Sequence, residues 1–260
     1  MSIDFQKIGV WLINLPQNRD RLEKMAAQFD ELGLPWRHFE AVNGRERFDE
    51  LIQQADPAAY AKNMGSPILP GKLGVYASHR GVWKDFLDTS CEYALIFEDD
   101  VVLHEDFLEA VEAALRASAH WDIVRFNCVR AKIPVTQGNV GKWRLNAYIG
   151  PFTGNAAYLI RKEVAAKLLH GIGPQTRALD HELNRFFRHD YRLMGMEPWA
   201  SHTDDGNIST ITGVAFSSVK KFKWYKRLPH YRLKAANYFR RFFWLVRKGM
   251  IFPSQKSLLD

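Results

Sequence analysis

The sequence predicts an α/β protein, and three stretches carry that expectation. "KIGVWLINL" (7–15) is a β-rich apolar run, a helical pattern follows, and "PWRHFEAVNG" (35–44) returns to strand character. Strand, helix and strand of this length make a βαβ unit, the building block of a sheet covered by helices. "YALIFEDDVVLHEDF" (93–107) then runs another apolar strand straight into three adjacent carboxylates, Glu98, Asp99 and Asp100.

The elements follow in order. Residues 7–15 form a buried first strand. Asn18 stands where it can cap a helix with Leu22, Met25, Ala26, Phe29 and Leu32 on one face, and Gly33 ends it. Residues 35–44 are a strand closing in a turn, and 46–61 a short helix. "NMGSPILPG" (63–71) reads as a loop by its Gly and Pro content. A helix over 72–90 places Leu73, Tyr76, Val82, Trp83, Phe86 and Leu87 in an apolar stripe. "EYALIF" (92–97) is a strand, 105–117 a helix and "WDIVRFN" (121–127) a strand. Residues 130–150 suggest a hairpin around "TQGN". "FTGNAAYLI" (152–160) is a small-residue loop entering a strand, and helices follow over 161–169 and 178–190.

Composition splits the chain in two. Of 36 bases and 29 acids among 260 residues, residues 1–205 hold 24 bases and 28 acids, leaving twelve bases and only Asp260 beyond. The expected division is therefore a body, 1–218, and a basic aromatic tail, 219–260. At helical spacing Tyr231, Ala235, Tyr238, Phe239, Phe242, Leu245 and Val246 share one face of that tail. Lys234, Arg240, Arg241, Arg247 and Lys248 lie on the other, and Trp244 falls off the apolar stripe. This pattern suits a helix lying on an anionic membrane surface through residues 219–250. A core-packed terminal helix is the plainer reading, and no recognised nucleic-acid module accompanies the tail. Cys91 and Cys128 make no disulfide framework or metal spacing and fit a reducing compartment. The N-terminal stretch has no basic region followed by an apolar core and cleavage site, so no signal peptide is expected.

Chemistry concentrates at Glu98-Asp99-Asp100. Ligands of open α/β sheets bind beyond the carboxyl ends of strands. Three carboxylates there cannot be desolvated unpaired. A divalent cation, Mg²⁺ or Mn²⁺, shared with phosphate oxygens would resolve the charge. A capping turn is the alternative, but it needs one acid rather than three. His79, in "SHR", either lines the site or sits as an ordinary helix residue. Ser78 and His79 are sequence neighbours that diverge on a helix, so no nucleophile–base dyad and no hydrolase is read. Asp180-His181-Glu182 is either a helix start with first-turn acids or the source of a general base. His202, with Asp204 and Asp205 in "SHTDDGN", is either a further metal ligand or a solvated turn.

Taken together, "INLPQNRDRLEKM" (13–25), "FEAVNG" (39–44), "LGVYASHRGVWKDF" (73–86), "ALIFEDDVVLHEDF" (94–107), "GNAAYLIRKEVAAKLL" (154–169) and "LDHEL" (179–183) resemble glycosyltransferase family 25. The resemblance covers about residues 8–210. It implies a GT-A type, Rossmann-like nucleotide-binding sheet and an inverting enzyme. The implied donor is a UDP-sugar, UDP-galactose or alternatively UDP-glucose, used with Mn²⁺ or Mg²⁺. The implied acceptor is a lipid-linked oligosaccharide of lipooligosaccharide or lipopolysaccharide synthesis, reached from the cytoplasmic face of a bacterial inner membrane. Carried over by position, Asp100 is the main metal ligand, with Glu98 and Asp99 near the ribose and metal; His202 is a further candidate ligand from the residues alone, since its segment departs from the family pattern. Asn14, Leu15, Arg19, Ala41 and Asn43 surround the nucleotide, and Ser78 and His79 line the donor pocket. Asp180 or Glu182 is the base. No nucleic-acid partner is expected. A catalytically silent membrane- or nucleic-acid-binding protein is the reading from another class.

Overall fold

Every residue of the first strand is buried, which its unbroken apolar run requires of a central parallel strand. A computed structural model describes residues 3–204, 221–251 and 257–258. The first half comprises β1 (Ile8–Asn14), α1 (Arg19–Glu31), β2 (Trp36–Glu40), α2 (Phe48–Gln53), α3 (Pro57–Met64), α4 (Pro70–Leu87), β3 (Tyr93–Glu98), β4 (Val101–Leu103) and α5 (Phe107–Arg116). There follow β5 (Ile123–Arg125), β6 (Arg130–Ala131), β7 (Pro134–Val140), β8 (Trp143–Tyr148), β9 (Phe152–Thr153) and β10 (Ala157–Arg161). The last are α6 (Lys162–Gly171), α7 (Leu179–Leu183), α8 (Phe186–His189), β11 (Leu193–Glu197), β12 (Ser201–Thr203) and α9 (Leu228–Arg247).

The fold is mixed α/β. Eight strands form one sheet in the order β2-β1-β3-β10-β5-β11-β8-β7. β2, β1 and β3 run parallel, as the βαβ reading requires, and β10 enters antiparallel between β3 and β5. Two short pairs, β12–β4 and β6–β9, sit beside it. Both cysteines are free. Among the described residues, no helix is long and apolar enough to cross a membrane.

Several local expectations fail for identifiable reasons. Asn18 makes no capping bond; its amide faces Asp99 instead. The helix expected over 46–61 is two, because Pro57 starts a new one whose cap is Asp56, accepting from Ala59 N at 2.9 Å. The loop expected over 63–71 ends early, since Pro70 is already the first residue of α4. "TQGN" lies inside β7, and the hairpin turns instead after Val140, where Gly141 takes φ +58°. The helix expected over 178–190 breaks at Asn184, whose side chain bonds the backbone of Phe152. "SHT" is β12 rather than a loop, and Asp205 and the tail boundary at 218/219 lie outside the described residues.

The terminal helix packs on α3 and α8. Helical spacing left Trp244 off the apolar stripe and put Arg241 on the basic face, yet these two are buried with Leu245. Trp244 Nε1 donates to Asp190 Oδ1 at 2.9 Å and its ring meets Phe186 edge-on. Arg241 Nε donates to the Ile149 carbonyl at 2.6 Å. Partners on the body select the docked face, and periodicity within the helix cannot see them. Tyr231, Phe239, Phe242 and Val246 of the expected stripe remain exposed, joined by Phe243.

Candidate active site

A cavity of about 640 Å³ opens at the carboxyl ends of β1 and β3. That is the usual ligand position in an open α/β sheet and the usual size for a small-molecule site. One wall is the 41–46 loop with Leu15, and the floor is Glu98-Asp99-Asp100. The far side is formed by Gly154, Asn155 and Ala156 before β10, and by Ala178, Leu179 and Asp180.

Small residues and one hydroxyl set the first wall. A Cβ on Gly74 would lie 2.5 Å from the Val42 carbonyl, and one on Gly44 would lie 1.9 Å from the Pro70 carbonyl. Only glycine at both positions lets the 41–46 loop touch α4 this closely. Ser78 Oγ accepts from Val42 N and donates to the Gly74 carbonyl, both at 2.8 Å. Ser78 therefore lines the cavity mainly as the clip that holds the loop. Asn43 lines it too, with Oδ1 accepting from Arg45 N at 3.0 Å in an Asx turn, and Ala41 N is tied to the Asn14 carbonyl.

His79 is buried beneath the acids. Trp83 Nε1 can only donate, and it reaches Tyr158 Oη at 3.0 Å. Tyr158 then gives its own proton to His79 Nδ1 at 2.9 Å, leaving His79 Nε2–H to donate to Glu98 Oε1 at 3.2 Å. This assigns the tautomer from the bonding pattern and holds Glu98 as an acceptor.

Asp99 is equally committed. Asn14 Nδ2 donates to it at 2.8 Å and Arg21 Nη1 at 3.1 Å. Asn14 thus acts behind the cavity rather than in its lining. Arg19, expected near the nucleotide, is exposed and outside the lining; Arg21, also outside the lining, is the arginine that reaches the acids, pairing with Asp99 and, at 3.9 Å, with Asp100. A signal existed: Arg21 is three residues after Asn18 and so shares its helix face. Gln28, seven residues further on, extends that face and bonds Val101 and Leu103 of β4.

Asp100 differs from its neighbours. Its Oδ1 is buried with no hydrogen-bond partner. Burial, and then the charges of Glu98 and Asp99, push its carboxyl up to about 7, against a smaller downward pull from Arg21. Among the described residues no three His, Cys, Asp or Glu side chains form a ready-made metal site. The donor set therefore fits a cation that takes one carboxylate, Asp100, and completes its shell with phosphate oxygens. His202 does not join it. It is exposed on β12 and pairs with His104, Nδ1 to Nε2 2.8 Å, while Thr203, the next residue along the strand, lines the cavity.

The two candidate bases separate. Glu182 is outside the cavity lining, 6% exposed, and enclosed by Arg177 at 2.5 Å, Arg185 at 3.4 Å and His189 at 3.5 Å. Burial opposes its charge, but those three groups hold its carboxyl down to about 2. Asp180 lines the cavity. Burial raises it, yet His181, Lys72 and Arg125 outweigh burial and keep it below the ordinary carboxylate range. Sequence reasoning missed Lys72, Thr203 and Asn155, all in the lining.

A family model described as "Glycosyltransferase family 25 (LPS biosynthesis protein)" matches residues 7–182. A "Glycosyltransferase 25 family member" of Aedes aegypti is 32% identical over 178 residues, 63% of this chain and 28% of the relative. "Procollagen galactosyltransferase 1-A" of Xenopus laevis is 26% identical over 170 residues, 62% of this chain and 28% of the relative. "Lacto-N-neotetraose biosynthesis glycosyltransferase LgtE" of Neisseria meningitidis serogroup B is 25% identical over 160 residues, 58% of this chain and 56% of the relative. The chain thus matches between about a quarter and just over half of the length of these curated relatives.

Proposed function

This chain belongs to glycosyltransferase family 25, and on that premise we propose that it is an inverting, metal-assisted hexosyltransferase. The donor in this reading is UDP-galactose and the acceptor a sugar hydroxyl of a lipid-linked oligosaccharide. The observation that carries it is the buried, unpartnered Asp100 Oδ1 in a cavity that Asp180 also lines. UDP-glucose is the alternative donor, since the two sugars differ in the orientation of one hydroxyl.

Each residue then has a task. Leu15, Ala41 and Asn43 form the wall for the nucleoside, and Glu98 and Asp99, fixed by His79 and Arg21, shape the diphosphate floor. A divalent cation at Asp100 would supply positive charge for the departing diphosphate. The acceptor oxygen attacks the anomeric carbon from the face opposite the diphosphate. As the new C–O bond forms and the bond to the β-phosphate oxygen breaks, the hydroxyl proton passes to the Asp180 carboxylate. Lys72, His181 and Arg125 favour the ionised form that must receive it. A screen of UDP-, GDP- and CMP-sugars with Mn²⁺, reading nucleotide release, tests this. Release from a UDP-hexose supports it, and release from none of them overturns it.

We also propose that the enzyme works as a peripheral protein on the cytoplasmic face of a bacterial inner membrane. Support comes from the outward face of α9, where Phe239 and Phe243 are 65% and 64% exposed among Arg240, Arg247 and Lys248. Flotation with anionic vesicles across a salt series should show binding that F239S/F243S weakens. Binding to oligonucleotide but not to vesicles would favour the nucleic-acid reading.

A further inference from the structure

Asn155 is a nearly buried polar side chain with a missing partner. It is 5% exposed, it lines the cavity, and its Oδ1 has no hydrogen bond. An amide left this way is costly in a folded protein unless a ligand completes it. The backbone around it is specialised. Gly154 precedes it at φ +104°, which side chains rarely adopt, and a Cβ there would lie 2.9 Å from Val129 N. The loop is pinned to the acid strand through Glu98 N donating to the Ala156 carbonyl at 2.8 Å. Asn184, one residue past α7, anchors to Phe152 and so joins the Asp180 helix to the same segment.

The sheet sets the order of groups along the cleft. β1 contributes the nucleoside wall, β3 the acids, and the start of β10, the next strand across, contributes Asn155. A nucleoside diphosphate hexose laid in that order puts its sugar over residues 154–156, between Asp100 and Asp180. We infer that Asn155 recognises the transferred hexose, bonding one ring hydroxyl and so selecting the donor sugar. This rests on the UDP-hexose reading above. Rotation of the terminal amide can present Oδ1 as acceptor or Nδ2 as donor, which suits a hydroxyl that can do either.

Calorimetric titration of wild type and Asn155→Ala with UDP, UDP-galactose and UDP-glucose tests it, alongside the rate of UDP release. UDP affinity should stay within about twofold, which also reports that the variant is folded, while affinity for the preferred UDP-hexose falls about tenfold, the scale of one hydrogen bond. The penalty should vanish for a deoxy-hexose donor that lacks the contacted hydroxyl. Equal weakening of UDP and UDP-hexose, or no weakening of either, overturns the assignment. Failure of wild type to bind any UDP-hexose is a separate result that overturns the proposed function together with it.

Discussion

The acidic clusters at residues 98–100 and 180–182 look alike in sequence and are finished differently. In the first, Glu98 is tied to His79 and Asp99 to Asn14 and Arg21, while Asp100 Oδ1 has no partner. In the second, Glu182 is locked among two arginines and a histidine away from the cavity, while Asp180 faces into it. Each cluster thus combines scaffold carboxylates with one left available. The number of acids in a motif is not the number that act. A committed carboxylate contributes stability, and an uncommitted one costs stability in exchange for chemistry.

Opposite signatures follow, and they can break the comparison. Asp100→Ala should lower turnover by about 10²–10³-fold or more while leaving Tm nearly unchanged, because the change removes a repelled carboxyl whose Oδ1 has no hydrogen bond and whose Oδ2 makes a long, 3.9 Å ion pair to Arg21. UDP release and calorimetry on the same sample check both, and retained turnover would remove the central assignment. Asp180→Asn should lower kcat by about 10²–10⁴-fold, the range of a general base, with UDP-sugar affinity kept. Loss of affinity with kcat intact would make Asp180 a binding group instead.

Glu182→Gln should do the reverse. Turnover per folded molecule should persist, and stability at neutral pH should fall by up to about 3 kcal/mol. The folded carboxyl lies at about 2 against an ordinary 4.5. Its contribution is therefore fully present above 4.5 and lost as pH falls through about 2. Urea unfolding of wild type and variant at pH 7 should differ most, with the two curves converging toward pH 2; a constant gap would mean that the charge is not what stabilises. The smallest effect belongs to Arg21→Gln, whose ion pair is partly exposed and should cost less than about 1 kcal/mol in the same measurement.

Much of the frame was legible because its signals are local. The apolar run of β1, the Gly33 stop and the acid triplet that begins on the last residue of β3 are all read from adjacent residues, and the structure has them. The errors fall where a partner comes from elsewhere in the chain. Arg19 and Arg21 are equally basic, but only Arg21 lies on the face turned toward Asp99. Trp244 is off the apolar stripe of its own helix, yet Asp190 and Phe186 draw it inward. His202 and Thr203 alternate along β12, and which one faces the cavity depends on the pairing with β4. Asn155 stands inside the block "GNAAYLIRKEVAAKLL", but nothing in the sequence marks its side chain as the one left without a partner.

The sequence by itself determined an α/β protein with a carboxylate cluster at the end of a buried strand, because periodicity and adjacency act within a few residues. Tertiary structure alone decided which of those carboxylates is free. Asp99 is satisfied by Asn14 and Arg21, 85 and 78 residues away, and Glu98 by His79, which a buried Tyr158 orients. Partners at such separations meet only once the sheet has closed and the helices have packed. Asp100 Oδ1 is left available because Arg21, the nearby cation, hydrogen-bonds Asp99 at 3.1 Å and reaches only Asp100 Oδ2, at 3.9 Å.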